Sequence, residues 1–556
     1  MVIVKLAARG WRPHHQILCG STPRLATRLS SSETTAAASA TRPQRSVGSM
    51  SRSYQDALLK LALLQSNRAV THLFDSNAPG AGAQASTRDL NAAALPEMLE
   101  WLRRAGYSPD DLSRMRHIHV AGTKGKGSVC AFATAMLRGY DTVGTYTSPH
   151  LVSPRERIAI NGKPLSQDVF AAYFFDLWDR FTESAKNPDG GAAMDAATAE
   201  GPASKPFFFR FLTILAWHVF LREGIRSVVM ECGIGGQYDA TNVLPAGAVS
   251  AAVVTHLGVD HVAMLGDTVE EIAWHKAGIF KSGVKAFTVK ARDRPGVMEV
   301  LRARARETGA VLVELEEEDV DAWGRTTNVE GNLQGGFQKQ NQALAVMAVK
   351  EHVRGLSAAG RETSSSTSSS SSLLDEALPD QMARGLATAS LRGRCEVLQH
   401  QGSAWLLDGA HTPDSLEQVA KWAAAQEKRS PAGADAKDEN SDLVLLFNQQ
   451  ERNAPALLKT LVEALQRETG RRDVFSHAVF TRNDLEPHPL LAVQEGAAAM
   501  MKSLCPACVT VVTDNVVRGV EEARRGLGGK RSRVLVTGSL HLVGGVMRVL
   551  EPDSVL

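Results

Sequence analysis

Hydrophobic positions in this chain follow two alternating rhythms. Short apolar runs recur at 118–121, 142–147, 227–230 and 249–255, each running into glycine or a polar residue. Runs of that length and composition predict buried strands. Between and before them, apolar residues spaced three and four apart at 54–64, 95–102, 269–280 and 341–353 predict helices. The run 207–221 is nearly all apolar, but Arg210 and His218 interrupt it and it is too short to cross a bilayer, so it predicts a buried helix. Alternation of the two patterns across 110–315 predicts an α/β fold, a right-handed, mostly parallel sheet with helices on both faces. Five further runs, at 404–407, 443–447, 474–480, 509–512 and 534–537, predict a second, smaller α/β layer.

Segments without either rhythm divide the chain. Residues 78–88 read as a Gly/Ala/Ser-rich loop, 183–204 and 430–441 as insertions, and 364–372 is almost pure serine, which cannot build a core. The organisation predicted is a leader over 1–49, a first domain over 50–360, a serine-rich linker over 361–373 and a second domain over 374–556. The leader carries seven Lys and Arg between Lys5 and Arg45 against the single acid Glu33, among Ser, Thr and Ala. That is the composition of a mitochondrial transit peptide. Met50, just before the first helix, offers a second start and a cytoplasmic form.

Composition narrows the function more than it defines it. With 556 residues, 44% apolar and 22% charged, the chain has the make-up of a globular protein with two or three cores. A net charge of +2 gives no reason to expect nucleic acid or membrane insertion, and nothing demands more than a monomer. Six scattered cysteines make no disulfide framework, and Cys505 and Cys508 read as two free thiols.

The chemistry is densest at I-H-V-A-G-T-K-G-K-G-S, residues 118–128. A strand breaks there into Gly122, Gly125 and Gly127 and passes into a helix. Glycines let backbone N–H groups converge on an anion, and a helix N-terminus adds partial positive charge. Thr123, Lys124, Lys126 and Ser128 complete a candidate phosphate cradle; the plain alternative is a glycine-rich turn with a solvated lysine. Ser148 and His150 lie on a proline-bearing loop beyond the second strand, where Pro149 and Pro154 argue against regular structure. Glu231 closes the third strand and His261 follows the fourth, with Lys276 fifteen residues on. Serine oxygen, carboxylate and imidazole at one sheet edge make a plausible Mg²⁺ shell beside a triphosphate. In the second domain, L-R-G-R-C-E (Arg394), D-G-A-H-T-P (Asp408, His411) and T-G-S-L-H (Ser539) are placed to face the first across a cleft.

Taken in order, A-G-T-K-G-K-G-S, T-S-P-H-L, F-R-F-L-T, E-C-G-I-G-G-x-x-D-A-T-N, G-x-D-H-x-x-x-L-G-D-T, H-K-A-G-I-F-K, D-G-A-H-T-P and T-G-S-L-H-L-V-G resemble the folylpolyglutamate synthases of the Mur ligase superfamily, in their eukaryotic form. The resemblance implies a central P-loop ATPase domain and a smaller Rossmann-like C-terminal domain. It implies ATP-dependent ligation of L-glutamate to the γ-carboxyl of tetrahydrofolate and its polyglutamates through an acyl phosphate. It further implies Mg²⁺ held by Ser148, Glu231 and His261, and nucleotide contacts from Gly122 to Ser128, Asn341, Arg394 and Asp408. A carbamylated Lys276 supporting a second Mg²⁺ and a monovalent cation belong to the same implication. His411 and Ser539 match positions near the incoming glutamate, and His411 with Asp408 is the candidate to take the amine's proton. His150 and Arg157, with Tyr146 and Arg155, are the folate-pocket candidates. The chain departs from the resemblance at L-R-G-R, where W-P-G-R is usual, and at Thr412, where asparagine is usual. Competing readings are a dihydrofolate synthase or bifunctional enzyme, a cell-wall Mur ligase, and an ATP-binding switch without ligase activity.

Overall fold

The computed structural model describes residues 52–64, 87–189, 192–327, 329, 331–358, 374, 376–428, 443–450, 452–489, 492–527 and 533–552. The leader, the serine-rich linker, the insertion 430–441 and residues 78–86 of the glycine-rich loop lie outside them. From Arg52 onward the chain builds two sheets.

The first sheet contains β1 (Arg116–Ala121), β2 (Val143–Tyr146), β3 (Ile158–Ile160), β4 (Lys163–Pro164), β5 (Ser227–Glu231), β6 (Val249–Val254), β7 (Lys285–Val289) and β8 (Val311–Leu315), in the spatial order β4-β3-β2-β5-β1-β6-β7-β8. β1, β2 and β5 to β8 are mutually parallel, so Ala121, Tyr146, Glu231 and Val254 end at the same edge. Alternate side chains of β5 enter opposite cores. Val228 and Met230 meet the aromatic helices Gln167–Lys186 and Phe208–Arg222, while Val229 meets Lys126–Leu137 and Gln338–Ala358. A strand buried on both faces has to be a continuous apolar run, which is why its pattern was readable.

The second sheet contains β9 (Glu396–His400), β10 (Ser403–Leu407), β11 (Leu443–Phe447), β12 (His477–Phe480), β13 (Val509–Val512) and β14 (Arg533–Thr537), in the order β13-β12-β11-β14-β10-β9. All are parallel except β9. Asp408, Asn448 and Gly538 therefore leave from one edge, and the helix Pro413–Lys428 returns the chain to the opposite edge, where β11 begins.

Several elements differ from the pattern reading. The region 183–204 is not a plain insertion. The helix Gln167–Lys186 runs into it, and Ala196–Glu200 is helical because Asp195 accepts the N–H groups of Ala197 and Thr198, both at 3.0 Å. Buried Lys205 ties that segment down, with Nζ 2.8 Å from the Ala199 carbonyl and 4.6 Å above the Trp178 ring. Pro154 opens a 3₁₀ turn, Pro154–Arg157, because a proline at the first helical position gives up no needed N–H. Residues 87 and 88 are already helical, within Thr87–Arg104. The strand expected over 474–480 is shortened to His477–Phe480.

Candidate active site

β1 delivers the chain into Gly122 (φ 148°), and Gly125 (φ 91°) caps the helix Lys126–Leu137. Neither glycine has room for a side chain. A Cβ would lie 1.8 Å from Thr255 Oγ1 at Gly122 and 2.4 Å from Asn341 Oδ1 at Gly125. The turn is held from β6: the His256 carbonyl accepts the N–H groups of Thr123 (2.9 Å) and Lys124 (3.2 Å), and Thr255 Oγ1 donates to the Lys124 carbonyl at 2.7 Å. No side chain caps the helix, so the amides of Lys126, Gly127 and Ser128 have no partner among the described residues. Asn341 is buried against the cap, donating to Gln338, which in turn donates to Ser128 Oγ. The result is a rigid anion cradle.

Two ammonium groups meet in that cradle. Lys126 Nζ donates to the Gly122 carbonyl at 3.0 Å and Lys276 Nζ to the same oxygen at 2.9 Å. Lys276 is buried, and burial together with the Lys126 charge lowers its pKa to about 7. Glu231, buried at the end of β5, accepts the Ser148 N–H through Oε2 at 3.0 Å. Its Oε1 has no hydrogen bond among the described residues. Burial raises its pKa, opposed by the charges of Lys126, Arg394 and Arg157 and by the Ser148 bond. His261 occupies the left-handed region at φ 52° and lies within range of Lys126 and Lys276, whose charges join burial in lowering its pKa. Among the described residues no group of three His, Cys, Asp or Glu is arranged to hold a metal. The set predicted is of another kind, with Ser148 and Glu231 offering the oxygen donors that a hard cation prefers.

Behind Glu231 runs a buried polar chain that the sequence did not single out. Asp239 accepts the Gly233 and Ile234 amides (2.9 and 3.1 Å), fixing the G-I-G-G turn. Thr241 Oγ1 donates to Asp239 at 2.6 Å and accepts from His119 Nε2 at 2.8 Å. Asp239 and Thr241 stand in D-A-T-N, so a motif pointed to them, but no spacing rule pairs Thr241 with His119.

The loop after β2 is organised by Glu156, which accepts the N–H groups of Leu151 (2.9 Å), Val152 (2.8 Å) and Ser153 (2.5 Å). Arg157 is buried beside the Phe208 ring and its Nε donates to His150 Nδ1 at 2.9 Å. His150 is thereby fixed as a neutral ring with its proton on Nε2, its pKa pushed down to about 3 by burial and by Arg157. The two other folate-pocket candidates are turned to partners within the protein, with Tyr146 beside Arg157. The Tyr146 hydroxyl is in the core, 3.1 Å from Thr213 Oγ1, and Arg155 is buried with Nη1 2.8 Å from the Leu165 carbonyl. Each finds its partner inside the protein.

From the second sheet, Asp408 and His411 come forward on the loop after β10. Asp408 does not orient His411: its oxygens accept the Cys395 amide at 2.7 Å and the Ala410 amide at 2.9 Å, which fixes the loop itself. His411 Nδ1 donates to the Gly409 carbonyl at 2.9 Å, leaving Nε2 of the neutral ring as a free base. Burial and the charges of Arg452 and Arg394 lower its pKa, opposed by its own bond to Gly409 and by the charge of Asp260. Arg394 is half-buried and has no hydrogen bond or ion pair among the described residues. Ser539 opens the last helix, Leu540–Leu550, and Asn483 Nδ2 reaches its Oγ at 3.5 Å. The two halves touch closely here, since a Cβ on Gly544 would lie 2.1 Å from the Leu151 carbonyl, and Arg548 donates to the Val152 carbonyl.

A glycine-rich anion cradle at the edge of a parallel sheet, faced by a smaller α/β half, defines a Mur-ligase-type fold. Solved structures share it. The chain is similar to Mycobacterium tuberculosis folylpolyglutamate synthase complexed with ADP, with TM-score 0.60 and 22% identity over 90% of this chain and 100% of that one. It is also similar to the Thermotoga maritima folylpolyglutamate synthase, with TM-score 0.58 and 21% identity over 88% and 97% of the respective chains. Residues 392–549 match the family described as dihydrofolate synthetase, C-terminal domain. Curated folylpolyglutamate synthases of Saccharomyces cerevisiae strains FostersO and S288c are each 37% identical over 533 residues, 92% of this chain and 88% of theirs. The chain belongs to the folylpolyglutamate synthase family and is a ligase.

Proposed function

We propose that the chain joins L-glutamate to the γ-carboxyl of tetrahydrofolate and its polyglutamates, using ATP to activate the carboxyl as an acyl phosphate. The observation that carries this reading is the convergence of Lys126 and Lys276 on the Gly122 carbonyl, with Lys126 beside Glu231 and Lys124 paired to Asp414, three residues beyond His411. A carboxylate resists an amine, and phosphoryl transfer is mainly alignment and charge stabilisation. The uncapped amides of the Lys126 helix and the Lys126 ammonium receive the phosphates, while Arg394, without an ion-pair partner among the described residues, is free to take an anionic oxygen. Ser148, Glu231 and His261 would hold Mg²⁺, which would supply charge neutralisation. His411 Nε2 accepts the proton that the glutamate amine must lose before it attacks. His150, fixed as an Nε2–H donor by Arg157, and Ser539 line the substrate side. Lys276 is proposed to be carbamylated, because an amine with a pKa of about 7 has a large neutral fraction near pH 7 and only the neutral amine adds CO₂.

The test is incubation of the full chain with Mg-ATP, labelled glutamate and either tetrahydrofolate or dihydropteroate. Glutamylated tetrahydrofolate is expected, with Lys126→Ala inactive and His411→Asn slowed about 10²- to 10⁴-fold, the range for a general base. Product from dihydropteroate alone would make the chain a dihydrofolate synthase, a reading that the family match over residues 392–549 favours.

A further inference from the structure

Among the described residues two ion pairs join the halves around this cleft, and in each the group from the second half, Asp414 or Arg452, has no role in the chemistry above. This inference rests on the reading of the cleft as the ligase site. Lys124 Nζ lies 3.0 Å from Asp414 Oδ2, in the first turn of the helix Pro413–Lys428, three residues beyond His411. The Lys124 peptide is already fixed on both sides, by the His256 carbonyl and by Thr255, so its side chain is the part that leaves the cradle. On the other flank, Arg452 follows β11 and donates to Asp260 Oδ1 at 3.0 Å. The same oxygen accepts the His261 N–H, also at 3.0 Å. Asp260 is only 14% exposed, and its charge and that of Arg452 both act on His411.

Each pair therefore runs from the half that carries His411 to a loop of the half that carries the cradle. A rim salt bridge between mobile side chains contributes little. These differ because the Lys124 peptide is fixed on both sides, and because Asp260 shares one oxygen between Arg452 and the His261 amide. We propose that Arg452 and Asp414 are positioning residues for the ligation. They hold the His261 loop and the phosphate cradle in register with the loop of His411, so that activated carboxyl and attacking amine are brought to one place.

The test uses the full chain carrying Arg452→Glu together with Asp414→Lys, with Arg452→Lys together with Asp414→Glu as the conservative counterpart. Initial rates are measured against glutamate at low and high salt, and the radius of gyration is measured by solution scattering. Charge reversal places like charges together, so the KM for glutamate should rise about tenfold or more while the melting temperature holds. The radius should increase, and high salt should shift the wild type in the same direction. The conservative pair should restore most of the wild-type KM. An unchanged KM in the reversal variant overturns the proposal, as does a conservative pair impaired as severely as the reversal. If the wild type ligates no glutamate, the ligase reading has failed, and the radius alone then decides whether these pairs hold the halves together.

Discussion

Lys276 is a cation placed where a cation is costly. It is buried, it shares its acceptor with Lys126, and no carboxylate forms an ion pair with it among the described residues. Desolvation and like charge both act against protonation, which is why its pKa falls to about 7. Carbamylation would replace that strained charge with an anion beside Lys126, relieving the repulsion. Activity measured in CO₂-depleted buffer should then fall about 10- to 100-fold and recover on adding bicarbonate, the scale typical of a group that supports a metal's ligands. The recovery should be steeper above pH 7 than below it, because the neutral amine becomes the majority there. Lys276→Met should be insensitive to bicarbonate, and a wild type equally insensitive would end the carbamate proposal.

Elements hold Lys276 in place through backbone contact rather than through side chains. Gly236 lies so close to the helix Val269–Lys276 that a Cβ would come within 2.7 Å of the His275 carbonyl and 2.8 Å of the Lys276 carbonyl. Gly236→Ala should therefore push the G-I-G-G turn off that helix, costing about 1–3 kcal/mol of stability by overpacking. A denaturant titration measures this, and activity should fall with it, since Glu231 and Lys276 lie on the two elements being separated. The legibility of the chain follows the same division between buried and exposed elements. β1, β2, β5, β6, β10, β11 and β14 could be read because each is buried along most of its length. β3 and β4 carry too few residues to set a rhythm. β9 alternates half-buried and exposed positions at a sheet edge, while V-L-V-E-L of β8, at the other sheet's edge, opens on exposed Val311 and then alternates half-buried and buried positions. Within the site, the cradle was legible because its glycines and lysine are contiguous. Glu156, His119 and Thr255 were not, because their roles depend on partners that only the fold brings near.

Across the whole molecule, burial of imidazoles sets the response to acid. His117 and His218 are pushed down to about 4, and His150 and His352 to about 3, in every case first by burial. In the unfolded chain each would titrate near 6.5. Between roughly pH 4 and 6.5 the unfolded chain therefore binds more protons, and stability falls as pH falls through that window. Melting temperatures taken from pH 7 down to 4.5 should decline progressively, and His352→Gln should flatten part of the slope. The arrangement of strand ends has a different consequence, one for engineering. Every proposed catalytic group of the second sheet lies at the edge where its parallel strands end, Arg394 at the amino end of antiparallel β9, whereas β11 begins at the opposite edge, after the join between Lys428 and Leu443. The polypeptide can be cut there without parting any two groups that must meet. A split enzyme, with one fragment ending near Lys428 and the other beginning near Leu443, would carry His411 on the first piece and Ser539 on the second. Ligation would then report directly on whether the two pieces had found each other.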